Sequence, residues 1–304
     1  MTTETPQHVL GRQVAYPDHY APEILVRVDR AGNREAHAID THNLPFTGYD
    51  LWNAYEVSAL TRNGAPVNLV MRLRYPCESR YIVESKSLKL YLNAFNMTRL
   101  DATPDEVACT VARTVERDLS ALLETRVEAV VETPRRAAAH TLTSPEAPDS
   151  APTAWACWDA NDLSGAPLTA YKEEPALLHD DGAGYGVLQG MTDLLRSRCK
   201  ITSQPDWGDL YLYMRGNRRP SVDSLLRYIV SFRDENHFHE EVVEMIYHTL
   251  WTRFAPEELL VMAFYTRRGG IDINPARASH ADLLPRFCPH ITAFERIAVK
   301  TPRQ

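Results

Sequence analysis

An internal repeat limits the possible folds of this chain more than any single motif does. Ser224 stands 137 residues after Ser87, and this offset aligns "SLKLYLNAF" with "SLLRYIVSF", so that serine, leucine, tyrosine and phenylalanine coincide. The same offset places Val127 on Phe264, each in the last predicted strand of its half. Two amphipathic helices can resemble one another by chance, but here the order and spacing of the surrounding elements agree as well. The repeat therefore indicates an internal duplication.

Each half has the same predicted order of a hairpin or strand, two helices and a final strand. In the first half the turn signal "RNG" joins a strand-like stretch to an alternating strand, and the second helix opens with Thr103 and Glu106 in a capping-box pattern. The first-half elements are strands 50–60, 67–75 and 126–132 with helices 85–95 and 103–123. The second-half elements are strands 209–216 and 258–268 with helices 221–233 and 238–254. Antiparallel hairpins with helices packed on one face predict an α+β protein.

Composition changes along the chain divide it into four segments. Residues 1–40 form a polar N-terminal extension broken by prolines, and residues 133–154 are rich in Pro, Ala, Ser and Thr without periodicity, as is typical of a linker. The two halves of the repeat then occupy residues 41–132 and 155–304.

Charge and cysteine content exclude several classes of protein. A net charge of −7 argues against a protein that coats nucleic acid, because phosphate contacts need a basic face. The five cysteines are scattered without a CxxC pair, so neither a disulfide framework nor a zinc knuckle is indicated. No signal peptide and no apolar run long enough for a membrane span is visible. We therefore expect a cytoplasmic location.

The stretch "SRCKITSQPDWG" (197–208) contains a candidate nucleophile and a candidate proton donor. Cys199 lies between Arg198 and Lys200, but on a strand these cations would point away from it. Asp206 lies between Pro205 and Trp207, and a Pro-Asp-Trp-Gly turn would bring it toward the cysteine. A carboxyl desolvated beside the indole ring would have a raised pKa, which suits proton delivery. The alternative is a structural cysteine followed by an Asx turn.

Three further stretches carry groups that could bind a ligand, and each also has an ordinary structural interpretation. "FYTRRGGIDINP" (264–275) ends a strand in two arginines and two glycines, which suit a phosphate or a cationic turn in solvent. "ESKSLKLYL" (84–92) places a lysine beside the amides that begin a helix, a possible anion site or a normal cap. In "NHFHEE" (236–241), Glu240 could accept two N–H donors of a purine-like edge, or it could simply offset the helix dipole. The histidines there lack a third metal ligand, and "DGAGYG" does not fit a dinucleotide-binding GxGxxG.

Together these stretches resemble the long, two-domain form of the NADPH-dependent 7-cyano-7-deazaguanine reductases, the nitrile reductases of queuosine (tRNA modification) biosynthesis. The resemblance extends over "NLPFTGYDLW", "ESKSLKLYLNAFN", "CKITSQPDWG", "LLRYIVSFRDENHFHEE" and "YTRRGGIDINP", in this order. It implies a tandem duplicated tunnelling fold, a homodimer, and the four-electron reduction of a nitrile to a primary amine with NADPH. It implies neither a metal nor direct contact with nucleic acid or membrane.

The resemblance also implies roles for individual residues. The Cys199 thiolate would add to the nitrile carbon and form a thioimide, while Asp206 protonates the nitrogen. The implied cofactor-binding residues are Ser85, Lys86, Arg268 and Gly269. The implied substrate-binding residues are Val83, Glu84, Ser85, His239 and Glu240. The family often has isoleucine or leucine where Val83 stands, a change that affects packing only.

Two other functions remain open on the sequence. One is a purine-type cyclohydrolase of the same fold, which would need zinc-bound water, and the other is a non-catalytic purine-binding scaffold. Metal content would identify the first, and a comparison with a Cys199→Ala variant would identify the second.

Overall fold

The computed structural model describes residues 19–134 and 155–287 as an α+β protein dominated by antiparallel sheet. Its strands are β1 Arg27–Asp29, β2 Thr47–Leu60, β3 Pro66–Pro76, β4 Tyr81–Val83, β5 Glu128–Glu132, β6 Ala156–Trp158, β7 Gly186–Thr192, β8 Arg196–Cys199, β9 Pro205–Gly216, β10 Asn236–His237, β11 Glu258–Tyr265 and β12 Ile271–Ala278. Its α-helices are α1 Ala31–Ala36, α2 Ser85–Asn93, α3 Pro104–Leu123, α4 Val222–Ser231, α5 His239–Phe254 and α6 Leu283–Phe287. Short 3-10 helices lie at Pro22–Ile24, Ala160–Asp162, Pro175–Leu177 and Phe232–Asp234.

One 10-stranded sheet runs through both halves of the chain. Its main path is β10-β8-β9-β11-β12-β2-β3-β5, and β7 pairs with β9 and with β6. Only β8–β10 and β6–β7 are parallel pairs among these strands. In each half a hairpin or strand pair is followed by two helices and a strand that returns beside the hairpin, as β2-β3-β5 and as β7-β9-β11. The predicted order of elements is confirmed in both halves.

The helices cover mainly one face of this sheet, as expected from strands whose side chains alternate. Apolar side chains of α2 and α3 pack on β2 and β3, and those of α4 and α5 pack on β9 and β11. The other face carries Tyr49, Leu51 and Leu260, and the short α6 covers it with Leu284 and Phe287. The expectation that all helices lie on one face therefore fails for α6.

A single offset of 137 residues does not hold through the whole repeat. It aligns the first residues of α2 and α4, Ser85 and Val222. However, α3 and α5 end in left-handed residues at Glu124 and Ala255, which are only 131 residues apart. Since α5 is shorter than α3, the offset between the two halves is smaller after these helices. Val127 lies just before β5, whereas Phe264 lies near the end of β11, so the two residues are not equivalent.

The sequence did not predict β12, the strand that joins the two halves. All eight residues of β12 are buried, and it pairs antiparallel with β11 on one side and with β2 on the other. It contains Asp272, Asn274, Pro275 and Arg277, which are unusual in the centre of a sheet. Its polar groups have partners, since Asp272 accepts hydrogen bonds from Asn53 at 2.7 Å and from Asn274 at 2.7 Å.

The described part of the N-terminal extension is integrated into the fold. Strand β1 pairs with β4, and Glu84 N–H donates to Val26 O at 2.8 Å. Arg30 and Arg34 are buried, with 4% and 2% of their surface exposed. Residues 1–18 and most of the predicted linker, 135–154, lie outside the described residues. No helix in the described ranges has the length and apolar character needed to cross a bilayer.

Candidate active site

One cavity of about 220 Å³ is lined by every residue that the sequence singled out as a site residue. The first half supplies Val83, Glu84, Ser85 and Lys86, and the second half supplies Cys199, Asp206, His239, Glu240, Arg268 and Gly269. The sequence missed several other lining residues, namely Trp52, Lys89, Ile201, Thr202, His237, Phe238, Thr266, Ile271 and Ile273. Apart from Ile201 in the β8–β9 turn, the apolar ones come from β2, β12 and the start of α5, so their positions depended on pairings that local patterns do not reveal.

Cys199 ends β8 at the base of a tight hairpin to β9. Its backbone N–H donates to Gln204 O at 2.8 Å, and its carbonyl accepts from Ser203 N–H at 2.9 Å. The thiol is free and half-buried. The chain reverses over residues 200–204, whereas Pro205 to Gly208 already belong to β9. The predicted Pro-Asp-Trp-Gly turn is therefore wrong, although the hairpin does bring Asp206 to the cavity that Cys199 lines.

Asp206 is buried, with 2% of its surface exposed, and it faces two cationic or ionisable groups. The Arg268 guanidinium forms a short ion pair with its Oδ1. The His239 Nε2 lies 3.7 Å from its Oδ2. The predicted aromatic neighbour is wrong, because Trp207 alternates to the opposite face of β9, where the guanidinium groups of Arg196 and Arg233 lie 5.8 and 5.2 Å from its ring.

The aromatic residue near Asp206 is instead Tyr265. Its ring lies edge to face with His239 at a centroid distance of 4.0 Å. Burial, and next the charge of Asp206, raise the pKa of Tyr265 well above its ordinary value. Asp206 and His239 line the cavity, and the buried Tyr265 ring packs against His239 outside the cavity lining.

Glu240 lies in the first turn of α5 and points into the buried end of the cavity. Only 2% of its surface is exposed, and no group of the described residues donates a hydrogen bond to its Oε1. Burial, and next the negative charge of Asp50, raise the pKa of this carboxyl to about 8. An unpartnered buried carboxyl oxygen is costly, and this cost favours a ligand that brings its own N–H donors.

Five buried charges lie behind Glu240 and form what we call the buried ion cluster: Arg30, Arg34, Asp50, Glu244 and Arg277. Arg34 binds both oxygens of Glu244 at 2.8 Å, and Arg277 bridges Asp50 and Glu244 at 2.9 Å each. Although burial alone would raise the pKa of Glu244, the charges and hydrogen bonds of these arginines lower it to about 2. The cluster joins the N-terminal segment, β2, α5 and β12 directly behind the cavity.

The start of α2 favours the second of the two interpretations that the sequence left open, a normal helix cap. The Glu84 carboxylate accepts hydrogen bonds from the backbone N–H groups of Lys86 at 2.9 Å and Ser87 at 2.7 Å. The Ser87 hydroxyl in turn accepts from Val26 N–H at 3.0 Å. The amides of Lys86 and Ser87 at this helix N-terminus are therefore already capped by Glu84 and are not free to bind an anion. Any attraction for anions here comes from side-chain cations.

His237 and its neighbours hold the start of α5 in place. The His237 ring nitrogens lie 3.2 Å from Glu235 and 3.3 Å from Glu241. Glu241 also accepts from Lys200 Nζ at 2.7 Å and from Phe238 N–H at 2.9 Å. Burial opposes ionisation of Glu241, but these hydrogen bonds lower its pKa below the ordinary value. Among residues 19–134 and 155–287, no group of three or more His, Cys, Asp or Glu side chains is arranged to hold a metal ion.

Comparison with known proteins identifies the family of this chain. The model of "Nitrile reductase, 7-cyano-7-deazaguanine-reductase N-term" matches residues 16–131, and that of "QueF-like protein" matches residues 205–283. An NADPH-dependent 7-cyano-7-deazaguanine reductase of Azoarcus sp. is 40% identical over 92% of this chain and 95% of its own length. A reductase of the same name from Colwellia psychrerythraea is 39% identical over 93% of this chain and 95% of its own length.

The matched regions include both sides of the cavity. A reductase of the same name from Acinetobacter baumannii is 37% identical over 92% of this chain and 96% of its own length. A crystal structure of an archaeosine synthase in the apo form covers 32% of this chain and 96% of its own, with 14% identity and a TM-score of 0.28, a likeness too slight to support an argument. Identity of this level over nearly the full length establishes that the chain belongs to the family of NADPH-dependent 7-cyano-7-deazaguanine reductases.

Proposed function

We propose that this chain reduces the nitrile of 7-cyano-7-deazaguanine to the primary amine, with NADPH as the reductant, as a step of queuosine biosynthesis. The observation that carries the proposal is the shared cavity, in which a free thiol, a buried carboxylate and an unpartnered buried carboxyl meet a cationic rim. Neither half contains this combination alone.

The base of the substrate fits the buried end of the cavity. A deazaguanine presents an N–H and an amino group side by side, and a carboxylate can accept from both. Glu240 is the group with free acceptor capacity there, because Glu84 already accepts from two backbone amides. Trp52, Ile271 and Ile273 line the same cavity and supply apolar contact for the ring. We therefore assign base recognition mainly to Glu240, with His239 and Val83 beside it.

Cys199 and Asp206 suit the covalent part of the reaction. The Cys199 sulfur would add to the nitrile carbon, and one proton would pass to the nitrile nitrogen, giving a thioimide. Asp206 is the buried acid at this end of the cavity, and His239 stands 3.7 Å from it. Asp206 would take the proton of the Cys199 thiol and pass it to the nitrile nitrogen, and because Arg268 pairs with Asp206, this transfer requires the ion pair to open.

The rim of the cavity suits a phosphate-bearing cofactor. Lys86 and Arg268 supply positive charge, and Gly269 has a left-handed backbone (φ +56°) that leaves its main chain open to close approach. Two molecules of NADPH, bound in turn, would each supply one of the two hydrides that convert a nitrile to an amine. Ser85, Lys86, Arg268 and Gly269 are the residues we expect to hold it.

We further infer that residues 41–132 and 155–304 are two tunnelling-fold units and that the chain forms a homodimer. The same order of hairpin, helices and returning strand in both halves supports the first inference. The free cysteines of the described residues are compatible with a reducing cytoplasm, where we place the protein.

The direct test supplies the purified protein with 7-cyano-7-deazaguanine and NADPH. We expect two NADPH oxidised for each nitrile consumed and a primary amine as the product by mass spectrometry. Cys199→Ser should abolish turnover, whereas Cys157→Ser, at an exposed cysteine outside the cavity, should retain it. A folded wild-type protein that consumes no NADPH with this substrate would refute the proposal.

A further inference from the structure

The cavity wall contains an unpaired hydrogen-bond donor as well as the unpaired acceptor of Glu240. Trp52 lines the cavity with only 1% of its surface exposed. Its indole Nε1–H has no acceptor within the part of the chain that the structure describes. A buried N–H group without an acceptor is costly, and folded proteins pair nearly all such groups. A ligand that brings an acceptor atom to Trp52 would remove this cost.

The sheet places Trp52 and Glu240 at the same end of the cavity. Trp52 and Asp50 are two residues apart on β2, so their side chains lie on one face of the sheet, roughly 7 Å apart along the strand. Burial, and next the negative charge of Asp50, raise the pKa of Glu240, so Asp50 lies near that carboxyl. Trp52 also pairs with Ile273 of β12, another residue of the cavity lining. The unpaired donor and the unpaired acceptor therefore belong to neighbouring parts of one buried surface.

The packing of the Trp52 ring does not by itself account for its N–H group. Strand β2 lies between β12 and β3, and Trp52 is opposite Ile273 on one side and Leu73 on the other. All three residues belong to the apolar cluster that packs against α2 and α3. A phenylalanine would fill this position with similar apolar contacts and without an unpaired donor. The indole N–H is thus the feature of Trp52 that calls for a ligand.

The base of the proposed substrate offers acceptors beside the edge that Glu240 would bind. That edge consists of a ring N–H and an amino group, and it is flanked by the carbonyl oxygen on one side and by ring N3 on the other. Held by Glu240 alone, the base would bury these acceptors without donors, which opposes binding. A donor next to Glu240 would pair with one of them and would lose its own unpaired state in the same step.

On the basis of the proposed function, we propose that Trp52 is a specificity-determining residue whose indole N–H donates a hydrogen bond to a ring acceptor beside the edge that Glu240 binds. Trp52 and Glu240 then recognise groups of opposite polarity on one face of the cavity. The ligand class that fits is a flat heterocycle with two adjacent N–H donors and an acceptor next to them. A base that turns a donor toward Trp52 would leave both donors unpaired and would bind weakly.

The test measures binding of 7-cyano-7-deazaguanine and two analogues by calorimetry in Cys199→Ala, so that no covalent step contributes. One analogue has a thiocarbonyl in place of the carbonyl, since sulfur is a poor acceptor, and the other has C–H in place of ring N3. We expect one of the two analogues to bind about tenfold more weakly than the parent compound. With Trp52→Phe added, the parent should bind about tenfold more weakly and that analogue should lose nothing further, because both changes remove the same hydrogen bond.

A second tryptophan provides the matched control. Trp251 lies on α5 outside the cavity lining, and Trp251→Phe should leave the three affinities of Cys199→Ala unchanged. The analogue that loses affinity identifies the acceptor, the carbonyl oxygen or N3.

The outcomes separate this inference from the function on which it rests. If each analogue is penalised as much in Trp52→Phe as without it, Trp52 donates nothing to the base and the assignment is wrong. Equal affinity of Cys199→Ala for all three compounds would overturn it as well, and this result needs no change at Trp52. In both cases the proposed reaction stands. If folded Cys199→Ala does not bind 7-cyano-7-deazaguanine and the wild type does not reduce it, the proposed function fails together with the inference.

Discussion

The second long helices of the two halves, α3 and α5, begin with the same chemistry but in opposite surroundings. In α3 the first-turn acids Asp105 and Glu106 lie in solvent, and Glu106 completes a capping box with Thr103. In α5 the first-turn acids Glu240 and Glu241 are 2% and 6% exposed. The second half inserts the β8–β9 hairpin and β10 around its helix start, and the first half has no such cover. Burial, rather than the acid-rich turn itself, distinguishes Glu240, whose Oε1 has no hydrogen-bond partner among the described residues.

The first helices of each half show the reverse arrangement. The start of α2 lines the cavity, while the corresponding start of α4 is capped by Ser221 and is not part of the cavity lining. Each half therefore contributes the start of one helix to the site. These are the first helix of the first half, α2, and the second helix of the second half, α5, so they are not equivalent positions in the repeat. The two halves can thus build one asymmetric cavity to which they contribute different residues, with the Cys199 thiol on the second half.

The largest effect should come from breaking the buried ion cluster that supports the α5 side. Glu244→Gln leaves the guanidinium groups of Arg34 and Arg277 without their shared carboxylate, and we expect a loss of about 3–5 kcal/mol in the free energy of unfolding. Denaturant melts would measure it.

The pH dependence of stability gives an independent check on Glu244. Its pKa is about 2 in the folded protein against an ordinary value of 4.5, so its contribution is complete above about 4.5 and is lost as the pH falls toward 2. The Glu244→Gln variant should lack this loss of stability at low pH. Equal stability of the two proteins at neutral pH would contradict the role of the cluster.

The next largest effect should appear in substrate binding by Glu240→Gln. An amide can accept only one of the two N–H donors and turns its own NH₂ toward the other. We expect affinity for 7-cyano-7-deazaguanine to fall by about 2–3 kcal/mol, roughly 30- to 150-fold, with NADP⁺ affinity unchanged. Calorimetry with each ligand separately would measure both. Unaltered affinity for the deazaguanine would remove Glu240 from base recognition.

Binding of the substrate should also depend on pH through Glu240. Its pKa of about 8 means that the empty site holds the neutral acid below that pH, whereas recognition of two N–H donors needs the carboxylate. Affinity should therefore rise about tenfold per pH unit up to about pH 8 and then level off. Glu240→Gln should abolish this slope. The measurement should start at about pH 6, roughly two units below this pKa. A wild-type affinity that stays constant from there to about pH 8 would contradict a Glu240 that is neutral in the empty site.

The smallest effect is expected at the exposed helix start, that of α3. Thr103→Ala removes the side-chain cap of α3, whose hydroxyl accepts from Glu106 N–H, and should cost about 1 kcal/mol of stability. Because this helix start does not line the cavity, kcat and KM should not change. A marked loss of activity in a stably folded Thr103→Ala protein would mean that the two helix starts are not functionally distinct.

Local sequence signals predicted the elements whose causes are local. The turn at 62–64, the capping box at Thr103 and the alternation at the start of β3 each depend on residues close in the chain, and all three are present. Strand β12 was missed because its polar residues and Pro275 resemble a loop, and their partners lie on β2 and α5. The ion pair of Arg268 with Asp206 joins residues 62 positions apart, so no local pattern could reveal it. The site residues implied by the family resemblance nevertheless all line one cavity, although the sequence missed several of their neighbours there.

The most direct test of the central claim is the mass of the protein after mixing with 7-cyano-7-deazaguanine in the absence of NADPH. For the wild type and for Cys157→Ser, we predict that the protein mass increases by the mass of one complete 7-cyano-7-deazaguanine molecule and that a new near-ultraviolet absorbance appears. Cys199→Ala should bind the same compound without any gain in mass. A folded wild type that binds the nitrile and acquires no covalent mass, or a Cys199→Ala protein that still acquires it, would contradict Cys199 as the nucleophile.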